Sequence, residues 1–142
     1  MNFTYLKTVF CLCGFMTLLS LASCVRSPGE GGRASISGSV EIERRHQINN
    51  PASIADTIPA LDTEVFIVYG ENTSPDDRVF TNPDGDFAFN WLRTGEYKVY
   101  VYSEDISSSP GPLPKVAIYQ SVIIDDRDEV VMLETILIHD DY

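Results

Sequence analysis

The chain is short of cysteine where a small fold would use it. Its three cysteines, Cys11, Cys13 and Cys24, all lie within the first 24 residues. The remaining chain has no disulfide framework and must stand on a hydrophobic core. Histidine is equally scarce. His46 sits in the polar run Arg44-Arg45-His46-Gln47 and His139 precedes Asp140 and Asp141, so both are expected to be exposed and solvated. With no free thiol and no histidine cluster, the chain lacks the nucleophile and base, or the metal-ligand set, that catalysis needs. No catalytic residue, metal or cofactor is therefore expected. Basic residues are few, with 10 Lys and Arg against 21 Asp and Glu for a net charge of −11. That balance argues against nucleic acid, which is gripped through a basic stripe, and against lying flat on anionic lipid. Its plainest consequence is solubility. No convincing helical periodicity is present either. Ser53 to Leu61 has scattered apolar positions, but Pro51 and Pro59 bracket it, leaving room for a helical turn at most.

What the N-terminus does contain is an export signal. Lys7 precedes a mostly apolar run from Thr8 to Leu21, followed by Ala22-Ser23-Cys24. One positive charge, an apolar stretch and small residues before a cleavage site match a secretory signal over residues 1–23. The run is about fourteen residues long, short of the roughly 20 needed to span a bilayer. Leu21-Ala22-Ser23-Cys24 resembles the lipobox of bacterial lipoproteins, in which the cysteine is lipidated and becomes the first mature residue. The resemblance implies a diacylglyceryl thioether on Cys24. It also implies a membrane partner held through that lipid, since two or more acyl chains at about 0.8 kcal/mol per CH₂ attach firmly. Val25 follows, not the Asp that resembles an inner-membrane retention signal, so the outer membrane is the expected destination.

After Cys24 the chain reads Val-Arg-Ser-Pro-Gly-Glu-Gly-Gly-Arg, a Gly-, Pro- and Ser-rich stretch expected to be a flexible tether over residues 24–33. A single all-β domain is expected over residues 34–142, about 110 residues, which suits one core. Ile36 to Ile42, Glu64 to Tyr69, Arg78 to Thr81, Phe87 to Phe89, Tyr97 to Tyr102, Val116 to Ile124 and Val130 to Ile138 read as strands. The Asp84-Gly85 pair marks a hairpin, and Asp125-Asp126-Arg127-Asp128 a charged turn. About seven short strands separated by turns predict a two-sheet antiparallel β-sandwich.

One stretch is more specific. Thr81-Asn82, Asp84-Gly85, Phe87, Phe89, Leu92, Gly95-Glu96-Tyr97 and Val99 resemble the recurring pattern of carboxypeptidase regulatory-like domains. Ile36-Ser37-Gly38-Ser39-Val40 is similar to the first strand of that family. The resemblance runs from about Ile36 to Ile138, with fuller loops at Arg44 to Leu61 and Ile106 to Lys115. It implies a prealbumin-like (transthyretin-like) sandwich serving as an accessory or scaffold module, and the pattern carries no catalytic residue.

Alternation along the strands places Phe87 and Phe89 on one face, and Tyr97, Val99 and Val101 on the inward face of their strand. Lys98, Tyr100 and Tyr102 then face outward. Together with Trp91 and Tyr119, the two tyrosines are the candidate binding surface, an aromatic patch suited to sugars or protein partners. The acidic turns fit β-turn chemistry better than calcium: neither offers oxygen ligands at alternate positions followed by a Glu at the twelfth. The expected function is a non-catalytic, lipid-anchored envelope module. The alternatives are a structural subunit of an envelope assembly and a carbohydrate-binding module. An envelope protein is the matching class of partner.

Overall fold

The computed structural model describes residues 27–45, 54–105 and 114–139. Cys24 with the signal at 1–23, His46, and the parts of the two long loops at 46–53 and 106–113 lie outside the described residues. Nine strands among the described residues form two sheets. They are β1 (Glu30–Arg45), β2 (Ile54–Pro59), β3 (Glu64–Tyr69), β4 (Asp77–Phe80), β5 (Asp86–Leu92), β6 (Gly95–Glu104), β7 (Lys115–Ile124), β8 (Val130–Met132) and β9 (Ile136–His139). The protein is an all-β sandwich, and no helix occurs among the described residues.

The four-stranded sheet has the order β4-β3-β6-β7 and is antiparallel throughout. The other sheet is built on β1, whose sixteen residues are too long for one neighbour on each side. Its first half pairs with β5 and β8, its second half with β2 and β9. The handover on the β5/β2 side occurs at Val40, whose N–H donates to Gly85 O (2.9 Å) and whose carbonyl accepts from Ala60 N (3.0 Å). β8 and β9 run parallel to β1, so this sheet is mixed rather than antiparallel. The stretch expected as one strand from Val130 to Ile138 is split because its register against β1 slips by one residue between Met132 and Ile136. Nine strands thus replace the expected seven. Ile54–Pro59 also forms a strand instead of a helical turn: its proline sits at the end of a sheet edge, where no ladder donor is required.

The core lies between the sheets. Ile36, Val40 and Ile42 of β1 meet Phe87, Phe89 and Leu92 of β5 and Ile136 and Ile138 of β9. Opposite them stand Val65 and Ile67 of β3, Tyr97, Val99 and Val101 of β6, and Ile124 of β7. Phe87, Phe89, Tyr97, Val99 and Val101 among them are the inward residues that alternation predicted. The hairpin at 82–86 is wound on Asn82, whose Oδ1 accepts from Asp84 N and Asp86 N, both at 2.9 Å. Gly85 takes a φ of 82°, and a Cβ there would come within 2.5 Å of Val40 O. Buried Thr81 accepts from Thr63 N (2.9 Å) and donates to Ala60 O, tying the loop before β3 to the hairpin.

Order begins before the expected boundary at Ala34. β1 starts at Glu30, and Arg93 N donates to Gly29 O (2.9 Å). The glycines of this stretch are there for close approach: a Cβ on Gly32 would lie 1.8 Å from Leu92 O. Tyr97 locks the segment in place. Its hydroxyl accepts from Gly29 N (2.9 Å) and donates to Arg93 O (2.8 Å), and burial raises its pKa.

An aromatic sheet face as the candidate functional site

Alternation on the four-stranded sheet sends one set of side chains into the core and the other outward. Three strands in register align the outward set. Phe66 on β3 stands opposite Tyr100 on β6, and Tyr100 opposite Tyr119 on β7. The rings touch: Phe66 stacks on Tyr100 with centroids 5.1 Å apart and 16° between planes, and Tyr119 lies 4.9 Å from Tyr100. Tyr102 closes the group edge-on, 5.6 Å from Phe66 and 5.5 Å from Tyr100. Beyond Phe66, on β4, Arg78 pairs with Glu64 and lies over the exposed Phe80 ring, 5.8 Å from its centroid. The result is a ring-paved surface with a charged pair at one side.

The four residues expected at the site divide. Tyr102 and Tyr119 are 46% and 59% exposed and offer their rings to solvent. Tyr100 is only 4% exposed although it points away from the core. Its neighbours bury it, and this desolvation, helped by the Tyr102 hydroxyl, pushes its pKa up to about 12. Trp91 does not belong to the group. It lies on β5 in the other sheet and is 69% exposed. Strict alternation would have turned it inward after Phe89. A bulge in β5, which advances three residues from Phe89 to Leu92 while β1 advances two from Ala34 to Ile36, gives it a φ of 62° and throws the ring out. Phe66 was the residue the expectation lacked. The signal was present: Val65 and Ile67 flank it in a period-2 run, so core positions on either side place Phe66 on the opposite face.

Next to this face, a cleft of about 710 Å³ opens at the end of the sandwich where β2, β3, β6 and β9 approach one another. Among its lining residues are Ile42, Ile58, Phe66, Tyr102, Glu104 and His139. Ser103 closes the sandwich there, accepting from His139 N (2.9 Å) and so joining the two sheets. His139 is half-buried, not solvated as expected. Its Nδ1 lies 3.1 Å from Glu43 Oε2, with both side chains largely covered and without hydrogen-bond alignment. The cause is the parallel β1/β9 pairing, which sets Glu43 directly opposite His139.

No three His, Cys, Asp or Glu side chains among the described residues are placed to hold a metal ion. The acidic turn at 125–129 closes on itself, with Glu129 Oε2 accepting from Asp125 N (2.8 Å) and Asp126 N (3.1 Å).

Fold and surface together define a class, an all-β sandwich with one aromatic outer face. No family model matches the chain, and no curated protein matches it. Among solved structures it is similar to the crystal structure of a candidate carbohydrate-binding protein from Pseudomonas aeruginosa. The identity is 14% and the TM-score 0.47, over 79% of this chain and 91% of that one.

Proposed function

We propose that the protein is a non-catalytic binding module of the cell envelope, held in the outer membrane by a lipid on Cys24, with the β3/β6/β7 aromatic face as its contact surface. The observation that carries this reading is the exposure of Tyr102 and Tyr119 against the ring of Tyr100, which is already buried. A partner laid on those rings covers apolar area on a rigid, flat sheet and orders few new side chains. An envelope protein presenting an apolar patch is the matching partner, and the strongly acidic chain favours one with basic residues around that patch.

Extraction of membranes with mild detergent and purification of the full chain tests this. The wild type should bring down a partner in fixed stoichiometry. Tyr102→Ser combined with Tyr119→Ser should lose it while keeping the fold. Identical companions for both proteins would sink the surface assignment. Saturable binding of a soluble oligosaccharide to the wild type alone would replace the protein partner with a glycan. Mass spectrometry of the purified chain should find acyl chains on an N-terminal Cys24. An unmodified N-terminus elsewhere would remove the anchor.

A further inference from the structure

Sheet edges carry rows of unpaired backbone donors and acceptors, and natural proteins blunt them with short strands, charges, prolines or bulges. Among the described residues, four of the five edges are blunted. β4 has four residues, among them Asp77 and Arg78. β2 ends in Pro59. β5 is bulged at Trp91. The β8/β9 edge is broken between Met132 and Ile136. β7 has only a single charge at its first residue, Lys115, and none of the other devices. It pairs with β6 over ten consecutive residues without a register shift, and no described residue pairs with its other edge. Gln120 reaches Glu134 O (3.0 Å) through its side chain, sealing the gap between the sheets beneath the strand without covering the edge. Along β7, Val116, Tyr119 and Ile123 are exposed, and Lys115 is the strand's one charged residue.

We propose that the β7 edge is a self-association surface, on which β7 of a second copy adds antiparallel to make one continuous eight-stranded sheet. The choice of a second copy rests on the ends of the strand. Exposed Lys115 begins it, and exposed Asp125 and Asp126 follow Ile124. A twofold axis at Gln120 sets Lys115 of each copy opposite Asp125 of the other. The same register places Val116 opposite Ile124, Ile118 opposite Val122 and Ala117 opposite Ile123. Every residue of β7 is then paired, each on the face it already occupies, and the two acidic molecules meet where their charges are complementary. The two aromatic faces become one surface, with Tyr119 nearest the axis in both copies.

Zero-length carbodiimide cross-linking of the full, detergent-extracted chain, with micelles in large excess over protein, tests the proposal. Lys115 and Asp125 of one copy stand at opposite ends of a strand of ten residues, about 34 Å apart at 3.4 Å per residue, so a link between them can form only across two copies. A dimer band containing the Lys115–Asp125 link is the expected result. Ser121→Lys and Ile123→Lys, each at an exposed position, should supply the missing blunting device and raise the dissociation constant about tenfold or more. Circular dichroism and melting check that these variants remain folded. A monomer at all concentrations overturns the proposal, as does a dimer linked through other residues, an unchanged dimer in both lysine variants, or an unrelated chain cross-linked to Lys115.

Discussion

The two sheets share one core but show different outer faces. Along β1, the outward residues are Ser35, Ser37, Ser39, Glu41 and Glu43, a half-exposed polar column in which Ser39 bonds Thr135 and Glu43 faces His139. Along β6, the outward residues include Tyr100 and Tyr102, which meet Phe66 and Tyr119. Sandwich formation asks only that the inner face of each sheet be apolar, and β1 shows that this chain can build a polar outer face. The aromatic rings of the other sheet therefore do something that the core does not require. Either they form a second, one-sided core or they meet a partner, and Tyr100 and Tyr102 stand on opposite sides of that distinction.

The largest effects should fall on the shared core. Phe89→Ala or Tyr97→Ala should cost about 3–5 kcal/mol, enough to threaten a small domain holding only about 5–15 kcal/mol. Tyr100→Ala should cost less, about 1–3 kcal/mol, because its cover is three rings on one side and no opposing sheet. Urea unfolding measures all three. A Tyr100 loss equal to that of Phe89 would make the outer face a true second core and leave only Tyr102 and Tyr119 for binding.

A finer cut separates shape from hydrogen bonding at Tyr97. Tyr97→Phe keeps the ring but removes the hydroxyl that holds Gly29 N and Arg93 O. Leaving those buried groups unpaired should cost about 1–3 kcal/mol. Amide exchange should quicken at Gly29 and Glu30 first, because the start of β1 is what that hydroxyl pins. Unchanged exchange there would mean that the strand start is held by backbone pairing alone.

These variants also mark what could be read in the sequence. The inward residues Phe87, Phe89, Tyr97, Val99 and Val101 were legible because strand period and apolar identity agreed at those positions. The Asp84-Gly85 turn was legible because its φ demands glycine. The order before Ala34 was not, because glycines that permit close packing and glycines that permit flexibility look alike in one dimension. Trp91 is exposed as expected, but it was grouped with the tyrosines although β5 pairs with β1 and not with β6, and no local pattern assigns a strand to its sheet. The parallel pairing of β8 and β9 with β1 depended on contacts across about 95 residues, for which no local pattern exists.

Alkaline pH probes both faces at once. Tyr69, packed edge-on against Tyr97, is pushed up to about 12 by burial and then by Asp77, Glu30 and Asp76. Tyr100 reaches about 12 through burial among its rings. Both folded-state values lie above the ordinary 10.0. Their neutral forms thus favour the fold fully below pH 10, and that stability is lost as pH rises from 10 toward 12. Phenolate absorbance should show an early class of exposed tyrosines, then a late class that appears with unfolding. Tyr100→Phe should remove one tyrosine from the late class. A late class of unchanged size would show that Tyr100 titrates with the exposed rings.

The smallest expected effect is at Trp91, and its sign is the informative part. A bulky residue at a φ of 62° carries backbone strain of about 1–2 kcal/mol, which glycine does not. Glycine costs about 0.5–1 kcal/mol in chain entropy in return. The Trp91 ring is mostly in water, so deleting it removes little packing. Trp91→Gly should therefore leave stability unchanged or raise it by up to about 1 kcal/mol, although it deletes the largest side chain in the protein. It should also leave partner retention by the Tyr102 and Tyr119 face intact, because Trp91 belongs to the other sheet. A clear loss of stability would mean that the ring packs more than its exposure implies. Loss of the partner with stability intact would extend the contact surface to the edge of the five-stranded sheet and end the division of labour between the two outer faces.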